Sequence, residues 1–160
     1  MLRKHLLTER PAAPSGQARE MDIPTLATVF MTSEAAGHPI DCVFDAQRGP
    51  GGSRWVAAAP GEQVIILAFD TAQTLHRVTL EIEERTVSRT QELDLSVSCD
   101  GGQTYRELRR QEYTFSPPDT TFEREDWALT AEGVTHLRLR IKPDKGGKPC
   151  LATLTTLAVQ

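Results

Sequence analysis

From Glu92 to Cys99 the chain alternates, with Leu93, Leu95, Val97 and Cys99 on one side and Glu92, Asp94, Ser96 and Ser98 on the other. A period of two with one apolar side marks a half-buried antiparallel strand, its polar residues turned to solvent. Asp100-Gly101-Gly102 follows, and Tyr105 to Leu108 resumes, which predicts a β-hairpin. The same alternation recurs in Leu75–Glu83, where Val78, Leu80 and Ile82 are expected inside and Thr79, Glu81 and Glu83 outside. It returns in Leu26–Thr32 and Leu137–Ile141, while Val64–Phe69 is a continuous apolar run. Gln111–Phe115 and Thr121–Leu129 flank Ser116-Pro-Pro-Asp119, and a change of parity between Leu151 and Leu154 predicts a bulge in the last strand. Asp70–Gln73, Gly133-Val-Thr135 and Pro143–Pro149 are expected to break the chain into turns. About eight short strands at this spacing, with no sustained helical period, predict an all-β fold, an antiparallel β-sandwich or barrel.

Composition narrows this picture. A chain of 160 residues suits one domain with a substantial core. Residues 1–22, charged and rich in Pro, Ala, Gly and Ser, are read as a mobile N-terminal arm, and 23–160 as the sandwich domain. A net charge of -4 argues against a broad nucleic-acid footprint. Three cysteines, Cys42, Cys99 and Cys150, lie far apart and cannot all pair. They are expected to be reduced, with Cys99 as a small core residue. No secretory leader and no membrane span is visible, so a cytoplasmic protein is expected.

Several segments taken together resemble one family. Met31-Thr-Ser-Glu34, Val43-Phe-Asp45, Ser53-Arg-Trp55, Val64–Asp70, Ser98-Cys-Asp-Gly-Gly-Gln-Thr-Tyr105 and Leu137-Arg-Leu-Arg-Ile141 follow the order of features in the discoidin, or coagulation-factor type C, family. The resemblance spans roughly residues 26–159 and implies a galactose-binding-like jelly roll that binds ligands through loops at one end. Two departures matter. Gln63 stands near the place of a second family Trp, and Thr156-Leu-Ala-Val159 lacks the carboxylate that calcium-holding members carry. Calcium needs several oxygen ligands, so no metal and no cofactor is expected, with Asp45 as the sole weak candidate.

Catalytic chemistry finds little support. The four histidines lack zinc spacing, and no nucleophile motif occurs. Glu81, Glu83 and Glu84 are better read as solvated charges than as a glycosidase pair. The expected function is therefore non-catalytic: weak, calcium-independent carbohydrate recognition. A sugar site needs guanidinium and amide donors for hydroxyls, and rings against which C–H faces can lie. The loops supply Arg48, Arg54 and Trp55, then Arg85, Arg89 and Gln91, then Tyr113, Arg124 and Trp127. The alternative is an intracellular protein-interaction module, because the same jelly roll opens a DNA single-strand-break repair scaffold. The partner is thus a carbohydrate or a protein, with nucleic acid and membrane not expected.

Overall fold

A computed structural model describes residues 19–160. Most of the expected arm, residues 1–18, lies outside the described residues. Met21 already joins the domain, donating its backbone N–H to Val159 O at 2.7 Å and packing against the core.

The strands are β1 (Ala27–Met31), β2 (Trp55–Val56), β3 (Gln63–Glu83), β4 (Arg89–Ser98), β5 (Arg106–Phe115), β6 (Phe122–Lys142), β7 (Thr153–Leu154) and β8 (Thr156–Val159). A single helical turn α1 (Ile23–Leu26) precedes β1, and a 3-10 turn occupies Ile40–Phe44. Hydrogen bonding runs β1-β3-β6-β4-β5, with β8 on the other part of β3. β2 and β7 form a separate small pair.

β3 and β6 run antiparallel from Gln63↔Ile141 to Glu83↔Phe122. Asp70–Gln73 and Gly133-Val-Thr135, expected as turns, lie inside these strands. The register shifts between Ala68 and Arg77 instead of breaking, and Gly133 has φ +66°. Such irregularities bend a strand without ending it. β3 thereby takes different neighbours along its length: it pairs β1 through Ile65–Phe69 and β8 through Val78–Glu81. The core closes between them, with Ile65, Leu67, Leu80, Ile82, Leu93, Leu95, Leu137 and Leu139 all buried. The fold is an all-β jelly-roll sandwich.

The predicted hairpin is present as β4–β5, registered from Arg89↔Phe115 to Val97↔Arg106. Three expectations need correction. Cys99 is exposed, because β4 ends at Ser98 and the next residues turn. Its thiol reaches Glu132 O at 3.4 Å. Asp94, Ser96 and Ser98 point outward yet are buried. Arg110 of β5 and Arg140 of β6, each 3.9 Å from the Asp94 carboxylate, cover that row, and burial pushes the Asp94 carboxyl up. Glu81 and Glu83 are buried too, at 2% exposure each, for a reason that positions the candidate site.

Candidate functional site

The glycine-rich segment Asp45–Arg54 folds down over the outer face of β3 instead of standing in solvent. Gly49 N–H donates to the Glu81 carboxylate at 3.2 Å, and Gly51 N–H donates to Glu83 at 2.8 Å. Both glycines hold positive φ, +82° and +83°, which points their N–H groups down without the Cβ clash an L side chain would suffer. The Gln47 carbonyl accepts from Thr156 Oγ1 at 3.2 Å. Two buried carboxylates thus staple the loop to the sandwich, and a buried carboxylate is tolerable only with such partners.

This anchoring leaves an open cleft where three loops meet at one end of the sandwich. Arg54, Glu83, Glu84, Arg85, Leu151 and Thr153 are among its walls, around a volume of about 360 Å³. A second hollow of about 380 Å³ shares Arg54, Glu83 and Arg85 and continues past His38, Cys42 and Gly52. Arg85 donates Nε–H to Glu83 Oε1 and remains 58% exposed. Arg54 is half-buried and has no ion-pair partner among the described residues. Leu151, 38% exposed, gives the cleft an apolar side.

The structure divides the sequence-predicted residues into three groups. Arg54 and Arg85 converge on the cleft. Arg48 and Arg124 hold the loop region from outside, Arg48 on Glu20 at 2.5 Å and Arg124 on Glu81 at 3.0 Å. The rest lie inside or on the flank. Trp55 is fully buried, its indole N–H donating to Ser33 O at 2.9 Å. Arg89 and Gln91 are internal: Arg89 donates to Glu84 at 2.8 Å, to Gln91 at 3.2 Å and to Pro143 O at 2.9 Å. Its guanidinium carbon sits 4.9 Å from the centre of the Phe115 ring. Tyr113 and Trp127 are half-buried against the core, and Tyr113 donates its hydroxyl to Phe122 O at 3.0 Å. Neither ring is among the walls of the two hollows described above.

Electrostatics agree with this division. Burial pushes the Glu84 carboxyl up, but the Arg89 guanidinium and the Thr86 donors outweigh it, so the net shift is downward. Behind it, Glu123 is pushed up to about 8 by burial and by neighbouring Glu125. Gln91 Nε2 donates to Glu123 at 3.2 Å, and Gln111 Nε2 donates to its other oxygen. Asp45, the weak metal candidate, accepts Gln47 N–H at 3.0 Å and the Ser53 hydroxyl. It serves its own loop, and no cluster of three metal-ligating side chains occurs among the described residues.

Sequence reasoning missed His38, Cys42, Thr86 and Leu151. Only the positions of His38, next to Pro39, and Leu151, two residues after Pro149, hinted at a place in loops. No helix among the described residues is long and apolar enough to cross a membrane.

No protein-family model matches the chain, and a search of curated proteins finds no relative. Solved structures do match. A family 32 carbohydrate-binding module from Clostridium perfringens, in complex with GalNAc-β-1,3-galactose, superposes with a TM-score of 0.59 over 88% of this chain and 99% of that one, at 17% identity. A chitosan-binding module from a Paenibacillus chitosanase/glucanase gives 0.55 over 88% and 98%, at 22% identity. A pectin-binding carbohydrate-binding module gives 0.56 over 84% and 90%, at 17% identity. At such identities the likeness is one of fold, and the fold is the galactose-binding-like jelly roll of the discoidin type.

Proposed function

We propose that this chain is a non-catalytic carbohydrate-binding module that receives a saccharide in the loop-end cleft, without calcium. The observation that carries the reading is the pairing, in one cleft, of two guanidiniums with free N–H groups and an apolar wall. Among the described residues Arg85 donates only Nε–H, to Glu83, so its terminal nitrogens can donate to sugar hydroxyls. Arg54 lies across the shared part of both hollows. Leu151, Val87 and Pro149 offer a surface for sugar C–H groups. Since the fold neighbours are carbohydrate-binding modules, the same scaffold is known to carry such sites. With no aromatic platform in the cleft, weak affinity is expected.

Both carboxylates of the cleft are committed, Glu83 to Gly51 and Arg85 and Glu84 to Arg89 and Thr86. Neither is left to move protons, which supports binding without catalysis. The test is a two-dimensional NMR titration with neutral and acidic oligosaccharides, in chelator and in calcium. Shifts confined to the amides of Gly51, Thr86 and Leu151, equal in both buffers, are expected. Shifts elsewhere in the molecule, or binding that needs calcium, would defeat the reading.

A second reading, an intracellular protein-interaction module, draws on a different surface. Phe30 is 56% exposed and stands beside Ile66, its partner across the β1–β3 register. An exposed ring next to other apolar residues often marks a partner surface.

A further inference from the structure

The charges around the cleft do not balance, and this deepens the carbohydrate reading on which it rests. Two carboxylates line the cleft, Glu83 and Glu84. Glu84 is answered from behind by buried Arg89, at 2.8 Å. Two guanidiniums, Arg54 and Arg85, then face Glu83 alone, which leaves one positive charge in excess. Glu83 is 2% exposed and already accepts the Gly51 N–H and the Arg85 Nε–H. Each of its two oxygens thus already holds a donor. The chain as a whole is acidic, at -4, so this cationic spot is local.

A cleft with surplus guanidinium donors and an immobilised carboxylate disfavours cationic sugars and leaves a neutral sugar's donors poorly matched. A guanidinium pairs best with a planar or tetrahedral oxyanion, to which it can donate twice. We propose that the cleft selects saccharides bearing an oxyanion, a uronate carboxylate or a sulfate ester, with Arg54 as the residue that receives it and Arg85 beside it. Arg54 is the better receiver because Arg85 is already held by Glu83. The apolar side formed by Leu151 and Pro149 takes the ring.

The experiment is calorimetric titration of the intact chain with three oligosaccharides: oligogalacturonate, a sulfated galactan fragment and the neutral galactan fragment. At least one anionic ligand is expected to bind about tenfold or more tightly than the neutral one. Its affinity should fall as salt rises from about 0.05 to 0.5 M, because screening weakens exposed charge pairs, while neutral binding stays level. Which anionic ligand wins distinguishes carboxylate from sulfate. Arg54→Met should collapse the anionic-to-neutral ratio, and Arg54→Lys should keep part of it. The melting temperatures of both variants check that they fold, and the salt series on the native chain needs no variant. Equal affinity for anionic and neutral ligands would overturn the proposal while leaving the carbohydrate reading intact. An unchanged ratio in Arg54→Met would do the same. Absence of binding to all three would remove both.

Discussion

Arg85, in the connection between β3 and β4, and Arg89, the first residue of β4, are four residues apart, and each is paired with a nearby glutamate. Their surroundings differ completely. Arg89 has a fully buried side chain, with donors spent on Glu84, Gln91 and Pro143 O and its face on Phe115. Among the described residues Arg85 has one ion-pair partner, and its side chain is 58% exposed. The difference begins with pleat. Glu83 and Glu84 are adjacent, so their side chains leave the backbone on opposite sides. Glu83 points out under the glycine loop and Glu84 toward Arg89. A saturated arginine is part of the wall, and an unsaturated one at an opening is available to a ligand. Unspent donors, more than residue type, single out Arg85 as the candidate for recognition.

The sharpest way to break this contrast is to remove the buried partner. Arg89→Met should cost about 3–5 kcal/mol, because Glu84 is left buried and uncompensated. Denaturant unfolding reads this directly, and a loss below ~1 kcal/mol would mean that Arg89 is no more structural than Arg85. The next effect is on pH. Glu123, beside this network, has its folded pKa raised from 4.5 to about 8. Its contribution is full below about 4.5 and is lost as pH rises through 8. The native chain should lose stability across that window, and Glu123→Gln, a mimic of the protonated acid, should flatten the slope. Parallel slopes in the two proteins would show that Glu123 titrates normally.

On the open side the effects are smaller. Gly51→Ala places a Cβ at φ +83°, a conformation that costs L-residues roughly 1–2 kcal/mol. It also loosens the Glu83 staple, so a modest fall in stability should accompany weakened saccharide binding. Full-strength binding in this variant would separate the loop's anchoring from the cleft. Arg85→Ala leaves the buried Glu83 with the Gly51 N–H and should cost about 1–2 kcal/mol, less than Arg89→Met, yet reduce saccharide affinity about tenfold. A large loss of stability there, measured by thermal melting, would erase the distinction between the two arginines.

Much of the fold was legible in the chain. Leu93, Leu95 and Val97, and likewise Val78, Leu80 and Ile82, lie inside as their alternation requires, because burying one face of a pleated strand fixes the register of the whole strand. The Asp100-Gly-Gly turn and the order of short motifs led to the right architecture. The candidate cleft was legible only in part. Arg54 and Arg85 sit in loops that the sequence marks by Gly and charge, but the same reasoning brought in Trp55, Arg89 and Gln91, which are internal.

The local pattern of side chains determined which segments are strands and which face each strand buries. Only the tertiary structure decided what covers the other face. Glu81 and Glu83 look solvated because strand periodicity reports two sides and says nothing about a distant loop that lies over one of them. Two N–H groups from Gly49 and Gly51, some thirty residues away in the chain, turn those carboxylates into anchors and shape the cleft beside them.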